Sequence, residues 1–462
     1  MIDDRAVWRI AEAERMSVIV DAEDYFRRAR SAMLDAKKRI MLIGWDFDAR
    51  IRLVQGRPAD GGPAKVGDFI YWLVQRNPEL EIYLLRWDMG AVKTLFRGTT
   101  IFTLFKWMKH PRIHTRLDAF HPTAASHHQK VVVIDDCIAF CGGIDMTTER
   151  WDRRDHADDD PLRRLPSGGK YKPWHDATSA LQGPIAAALG ELARDRWTVS
   201  GGSRLEAVGG VTGCWPDGLP ADFEQVPVGI ARTLPEMPNR PEVREVEALF
   251  LAQIAAARHS IYAESQYFAS RKIAEAIARR LAEPDGPEIV IVHPEHAQGW
   301  LEPIAMDTAR ARLVSALRQR DKYNRLKLYH PFTAGGDAIY VHAKVMIVDG
   351  RTLRIGSANM NNRSLGLDTE CDVIIDAGED EAPAVRRIRD DLIAEHLGVS
   401  REVVAGQIDA QKSIIGAIES LRGPGRSLRP YEVPDLSGVE TWLADNEVLD
   451  PESPSDMFES FA

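Results

Sequence analysis

Residues 128–135 read H-Q-K-V-V-V-I-D, and residues 342–349 read H-A-K-V-M-I-V-D. Both satisfy His-x-Lys-x-x-x-x-Asp. Seven positions after each Asp comes a turn of small residues, Gly142-Gly143-Ile144-Asp145 in the first copy and Gly356-Ser357-Ala358-Asn359 in the second. One such pattern would be weak. Two copies that stay in register as far as the turn mark an internal duplication that carries chemistry. The four residues after each Lys are apolar and mostly β-branched, which predicts a short buried strand. Side chains alternate along a strand, so His128 and Lys130 face one side, as do His342 and Lys344. Asp135 and Asp349, counted with the catalytic set as members of the motif, fall at the far strand ends, where a carboxylate can hold a neighbouring loop or lysine.

Two imidazoles and two ammonium groups converging on one pocket suit a phosphodiester. Such a substrate needs positive charge at its non-bridging oxygens, a nucleophile, and an acid for the leaving alcohol. Histidine can serve as either near neutral pH. An isolated histidine at a strand start is more often a core residue. The paired Lys and the duplication favour chemistry here.

The motifs resemble those of the phospholipase D superfamily, in which two such halves enclose one active site. Gly142-Gly143-Ile144-Asp145 with Arg150-Trp151-Asp152 is similar to its "GGxD…RWD" stretch, and Pro173-Trp174-His175-Asp176, Gly183-Pro184 and Arg196-Trp197 to "PWHD…GP…RW". Ile261-Tyr262-Ala263-Glu264-Ser265-Gln266-Tyr267-Phe268 is similar to "IYIENQYF". Gly356 to Ser364 with Glu370 resembles "GSANxNxRS…E". The likeness runs from about residue 15 to about residue 400 and is closest to the lipid-hydrolysing branch.

The resemblance implies His128 as nucleophile, through a phosphohistidine, and His342 as acid and then base. Lys130 and Lys344 would hold the non-bridging oxygens. Asp145, Ser357 and Asn359 fall where relatives place phosphate-binding polar groups, although Asp145 stands where many have Asn. Each histidine needs a carboxylate to fix its tautomer. Glu370 occupies that position in the second half and Asp176 in the first, with Asp368 as the alternative to Glu370. His127 points to the other strand face, and His175 and His293 read as structural. No metal or cofactor is required.

The expected fold is α/β, two duplicated lobes about a pseudo-twofold axis with the site between them. The expected division is an N-terminal lobe over 1–200, a connecting segment over 201–241, a C-terminal lobe over 242–400 and an extension over 401–462. The connection is rich in Gly and Pro, and its end, from Val226, predicts the first strand of the second lobe. Residues 152–172 read as a loop and those from Asp450 onward as a loose tail.

The chain of 462 residues carries a net charge of −10, which disfavours bulk nucleic-acid binding. Four cysteines show no zinc spacing. Cys137 and Cys141 read as small buried hydrophobes, and nothing demands an oxidising compartment. No secretory signal or membrane span is legible, so the expected location is cytoplasmic or peripheral on a membrane. Residues 92–112 hold five Lys or Arg, three Phe, a Trp and no acid. They fit a surface for anionic lipid, an ordinary amphipathic helix, or stacking on single-stranded nucleic acid. The expected partners are a phospholipid surface and water or a small alcohol. The expected reaction is hydrolysis of a glycerophospholipid to phosphatidic acid and free headgroup alcohol. The alternatives are a metal-independent nuclease and a phosphatidyltransferase of the cardiolipin or phosphatidylserine synthase kind.

Overall fold

The four apolar residues after each motif Lys form a strand buried on both faces. In the computed structural model Val131 and Val133 enter one core while Val132 and Ile134 enter another. Val345 and Ile347 share the first of these cores, and Met346 and Val348 join a third. The structure describes residues 5–88, 103, 106–123, 125–297, 302–378 and 382–434.

In the first half the strands are β1 (Arg9–Val20), β2 (Arg39–Gly44), β3 (Glu81–Trp87), β4 (Ile113–Asp118), β5 (Val131–Ile134), β6 (Ile138–Gly142), β7 (Trp174–His175) and β8 (Ala177–Gln182). In the second they are β9 (Phe223–Leu234), β10 (Val243–Arg244), β11 (Ser260–Glu264), β12 (Glu288–Val292), β13 (Leu326–Phe332), β14 (Tyr340–Val341), β15 (Val345–Val348), β16 (Thr352–Gly356), β17 (Glu370–Asp376) and β18 (Ser427–Pro430). The helices are α1 (Ala22–Leu34), α2 (Val66–Arg76), α3 (Pro184–Val199), α4 (Glu245–Ala256), α5 (Arg271–Ala282), α6 (Glu302–Arg320), α7 (Ala382–Leu397), α8 (Arg401–Gln411) and α9 (Ile414–Leu421).

One sheet runs through both halves in the order β18-β13-β12-β11-β15-β16-β17-β9-β1-β8-β6-β5-β2-β3-β4. Read outward from the antiparallel β1–β9 pair, the halves repeat each other strand for strand as far as β4 and β13. The expected two-lobe α/β architecture is what is found, with β18 added at one edge. On one face α1 and α2 cover the first half and α4 and α5 the second. The other faces of both halves share a single core, closed by α3, α7 and residues of α8 and α9. Burying both faces explains why the strands read as apolar runs rather than alternations. Residues 152–172 are irregular, as expected. The tail from Asp450 lies outside the described residues.

The hairpins after β5 and β15 explain the motif Asp. Asp135 and Asp136 have φ of 52° and 51°, and Asp349 and Gly350 have φ of 56° and 59°. Two successive positive-φ residues make a tight hairpin turn, which favours Asp, Asn and Gly. The Asp135 carboxylate accepts the backbone N–H groups of Lys37, Lys38 and Arg39, and Asp349 those of Arg258, His259 and Ser260. Each ties its hairpin to the strand next to it. Both acids, counted above with the catalytic set, are therefore anchors at the strand ends opposite the histidines.

Cys137, expected as a small buried hydrophobe, is instead bonded to Cys214, 77 residues away. The irregular segment before β9 crosses back to the β5–β6 turn, a path that sequence spacing cannot reveal. Cys141 and Cys371 are free and buried.

Candidate active site

Each His-x-Lys segment lies where the two halves cross. The short strands β7 and β14 pair in parallel, Tyr340 with Trp174 and Val341 with His175. The symmetry mate of this pair is the bridge between His127 and Thr369. The His342 amide donates to the His175 carbonyl at 2.7 Å, and the His128 amide to the Thr369 carbonyl at 3.0 Å. One residue further on, the chain from each half delivers a carboxylate. His128 Nδ1 lies 3.0 Å from Glu370, and His342 Nδ1 lies 2.7 Å from Asp176. Each histidine thus takes its carboxylate from the opposite half.

With Nδ1 committed to a carboxyl group, Nε2 of each ring is the atom left for phosphorus or the leaving oxygen. The His128 side chain keeps 16% of its surface exposed and that of His342 5%, so His128 is the more accessible. Lys130 Nζ reaches the His128 carbonyl at 2.8 Å and Asp145 at 3.2 Å. Lys344 Nζ bonds the His342 carbonyl and reaches Gln266 Oε1 at 3.4 Å. A lysine that folds back on the carbonyl two residues earlier stays beside its own histidine.

Electrostatics join the four groups into one site. Burial, then Lys130 and Lys344, hold the His128 imidazole well below its ordinary value. Burial, then Lys344 and Arg150, do the same to His342, with smaller effects from Lys130 and His128 itself. Burial lowers Lys344 to about 7 against the pull of Asp176. Burial raises Asp176 to about 6 and Glu370 to about 8, although Lys344 and Lys130 oppose it. The neighbouring cations thus favour the neutral form of both imidazoles, and the two lysines beside them can meet the charge of an anion.

Of the remaining expected residues, Asp145 pairs with Lys130 and accepts the Trp45 amide at 3.0 Å. Asn359 is buried, and its Oδ1 makes no hydrogen bond within the protein. Ser357, expected at the substrate, is fully buried and its hydroxyl bonds Glu370, so it supports the carboxylate. Asp368 accepts the Ser126 amide and pairs with Arg363, which leaves Glu370 as the partner of His128. His127 faces Asp118 and Arg196.

Sequence reasoning missed three contributors. Ser364, on the π-helical turn Arg363–Leu367, bonds Glu370 at 2.7 Å. Arg150 lies over the Trp174 ring at 4.2 Å and acts on His342. Its place in the "RWD" stretch was the available signal. Beneath Asp176 lies a buried network of Asp21, Asp152, His156, His175, Glu264, Glu395 and His396. These residues come from five segments far apart along the chain; Asp152, His175 and Glu264 lie in stretches quoted above, but no local pattern joins the seven.

Part of the basic segment is described. Trp107 is fully buried, and its indole donates to the Gly67 carbonyl at 3.2 Å, so it cannot insert into lipid. Lys106 is exposed and its ammonium lies 3.6 Å from the Tyr71 ring. Lys109 is exposed. Lys93, Phe96, Arg97, Phe102 and Phe105 lie outside the described residues. Among the described residues no helix is long and apolar enough to cross a membrane.

Comparison with known proteins finds a family match in each half. A family model described as phospholipase D matches residues 32–212, and one described as cardiolipin synthase, PLD-like domain, matches residues 250–391. The chain is 24% identical over 432 residues to phospholipase D A of Dictyostelium discoideum, covering 77% of this chain and 32% of that protein. It is 23% identical over 522 residues to phospholipase D alpha 1 of Ricinus communis, covering 82% and 64%. The chain thus spans between about a third and about two thirds of these relatives' length. The solved phosphatidylserine synthase of Haemophilus influenzae shares the fold, with a TM-score of 0.58 at 14% identity over 89% of this chain and 96% of that one. Two matched family models, one on each side of the crossed histidine–carboxylate pairs, show that this chain belongs to the phospholipase D superfamily.

Proposed function

We propose that the protein cleaves phosphodiesters of glycerophospholipids, releasing the headgroup alcohol and leaving phosphatidic acid. The observation that carries this reading is the pair of Nδ1-anchored imidazoles, one from each half, between two buried lysines. His128 Nε2 attacks phosphorus, a P–N bond forms, and the P–O bond to the headgroup breaks. His342, having gained a proton in the field of the bound anion, gives it to the departing alkoxide. Water then loses a proton to His342 Nε2, and the resulting hydroxide displaces His128 from phosphorus. Lys130 and Lys344 neutralise the non-bridging oxygens throughout. Glu370 and Asp176 hold the tautomers and share the charge that each imidazole acquires.

Phosphatidyl transfer is the second reading. An alcohol deprotonated by His342 would take the place of water, and the cardiolipin synthase-type match over residues 250–391 favours it. Lys106 and Lys109 would supply positive charge toward an anionic membrane surface. The test offers the protein mixed phospholipid vesicles, with and without glycerol, and single- and double-stranded DNA, and identifies products by mass. Phosphatidic acid and free headgroup support hydrolysis, and a phosphatidylated acceptor supports transfer. Cut DNA with intact lipid would overturn both in favour of a nuclease.

A further inference from the structure

We propose that Asp21, His156, His175 and Glu395 form a buried binding site for a divalent transition-metal ion of the zinc class, which fastens the two halves together beneath Asp176. The four residues are buried and their donor atoms lie within 4.8 Å of one another. His156 Nε2 is 3.1 Å from Glu395 Oε1 and 3.4 Å from Asp21 Oδ2. His175 Nδ1 is 2.8 Å from Glu395 Oε1 and 3.4 Å from Asp21 Oδ1. Tetrahedral zinc with bonds of about 2.0–2.1 Å places its ligands about 3.3 Å apart. These four separations, 2.8–3.4 Å, bracket that spacing, so modest shifts of the side chains would seat an ion.

The surroundings are those of a metal site. The remaining nitrogen of each imidazole is held by a further carboxylate, His156 Nδ1 by Asp152 at 3.0 Å and His175 Nε2 by Glu264 at 2.8 Å. Such carboxylate–histidine–metal relays fix the ring and strengthen the ligand. Glu264 is fixed in turn by Tyr262 and His396. Arg154 takes Glu395 Oε2 and leaves Oε1 to the imidazoles.

An independent observation points to a missing ligand. Asp21 Oδ2 is buried and makes no hydrogen bond within the protein, although it faces His156 Nε2. A long 3.4 Å contact to the His156 ring is weak compensation for burying that oxygen, and an ion at the centre would give it a direct bond. Two imidazoles among four ligands favour zinc or a neighbouring first-row ion over calcium or magnesium, which prefer oxygen. Four protein ligands with no open position make the ion structural.

The placement gives the ion a purpose. Asp21, His156 and His175 belong to the first half, and Glu395 to helix α7 of the second. Asp21 also exchanges hydrogen bonds with Asp176, whose amide donates to Asp21 Oδ1 at 3.1 Å and whose carbonyl accepts the Asp21 amide at 2.8 Å. The ion would fix the backbone of the residue that orients His342 without touching the reacting atoms.

The experiment reads metal, not turnover. The tag-free full chain is unfolded in chelator, refolded with zinc, dialysed, and assayed by mass spectrometry and X-ray absorption. About one zinc per chain is expected, with a nitrogen and oxygen shell near about 2.0 Å and no sulfur. Asp21→Asn, with the fold checked by circular dichroism, should bind zinc at least about tenfold more weakly, and Glu264→Gln about 10–100-fold more weakly. If these variants do not fold, the wild-type absorption spectrum decides. Refolded protein without stoichiometric metal, a sulfur-containing shell, or unchanged zinc in folded Asp21→Asn overturns the proposal. None of these outcomes bears on whether the protein cleaves phosphodiesters.

Discussion

The backbone amide of His342 donates to the carbonyl of His175 at 2.7 Å, and this bond between the halves sets the pairing of the active site. The residue after His175 is Asp176, so the register that accepts the amide also lays that carboxylate on the His342 ring. The mate of this bond, from His128 to Thr369, brings Glu370 to His128 in the same way. Neither half holds a complete histidine–carboxylate pair.

The two histidines should separate by step. His128→Ala should abolish covalent labelling by substrate and all turnover. His342→Ala should lose about 10²–10⁴-fold on natural headgroups yet still release p-nitrophenolate, which leaves without an acid. A covalent adduct that survives His128→Ala and vanishes in His342→Ala would reverse the assignment.

Asp176→Asn and Glu370→Gln preserve shape but replace a carboxyl oxygen with an NH2 group, which can donate to Nδ1 and select the wrong tautomer. Each should lower kcat by about 10³–10⁴-fold with a small change in KM. Steady-state kinetics on a monomeric short-chain phospholipid checks this. A rise in KM with kcat unchanged would mean that these groups bind substrate rather than orient histidine.

Lys344 should impose an alkaline limb on kcat/KM near pH 7, because burial lowers its ammonium to about 7. Below that value the side chain is charged and attracts the phosphodiester; above it the neutral amine does not. The profile should therefore fall as pH rises through about 7, and the limb in kcat should lie higher, since bound anion favours the charged form. Level kcat/KM from about pH 6 to about pH 9 would remove Lys344 from free-enzyme recognition.

Asp135→Ala should cost stability rather than chemistry. Three backbone amides lose a charged acceptor, which should lower the unfolding free energy by about 2–4 kcal/mol. Denaturant melts measure the loss, and kcat/KM of the folded fraction should stay close to wild type. A selective loss of kcat at unchanged stability would restore a catalytic role.

Charge reversal at Lys106 and Lys109 should weaken binding to anionic vesicles by about 1 kcal/mol or more per residue, and less at high salt. Turnover of monomeric substrate should be nearly unaffected. Equal losses on both substrates would show that the segment supports the pocket instead.

The duplicated motif, the β-branched runs and the turns after them determined that this chain is a two-lobed α/β protein and which histidines and lysines matter. Strand periodicity depends on neighbouring residues, and so does the place of each Lys two residues from its His. Glu370 and Asp176 were legible as carboxylates but not as crossed partners, because register between the halves is set by the β7–β14 pairing and its mate. The hairpin role of Asp135 depends on a positive φ and on amides some hundred residues earlier in the chain. The Cys137–Cys214 bond and the histidine–carboxylate cluster under Asp176 join residues far apart along the chain. Tertiary packing alone decided those contacts, since only the folded sheet and its covering helices bring distant segments within bonding distance.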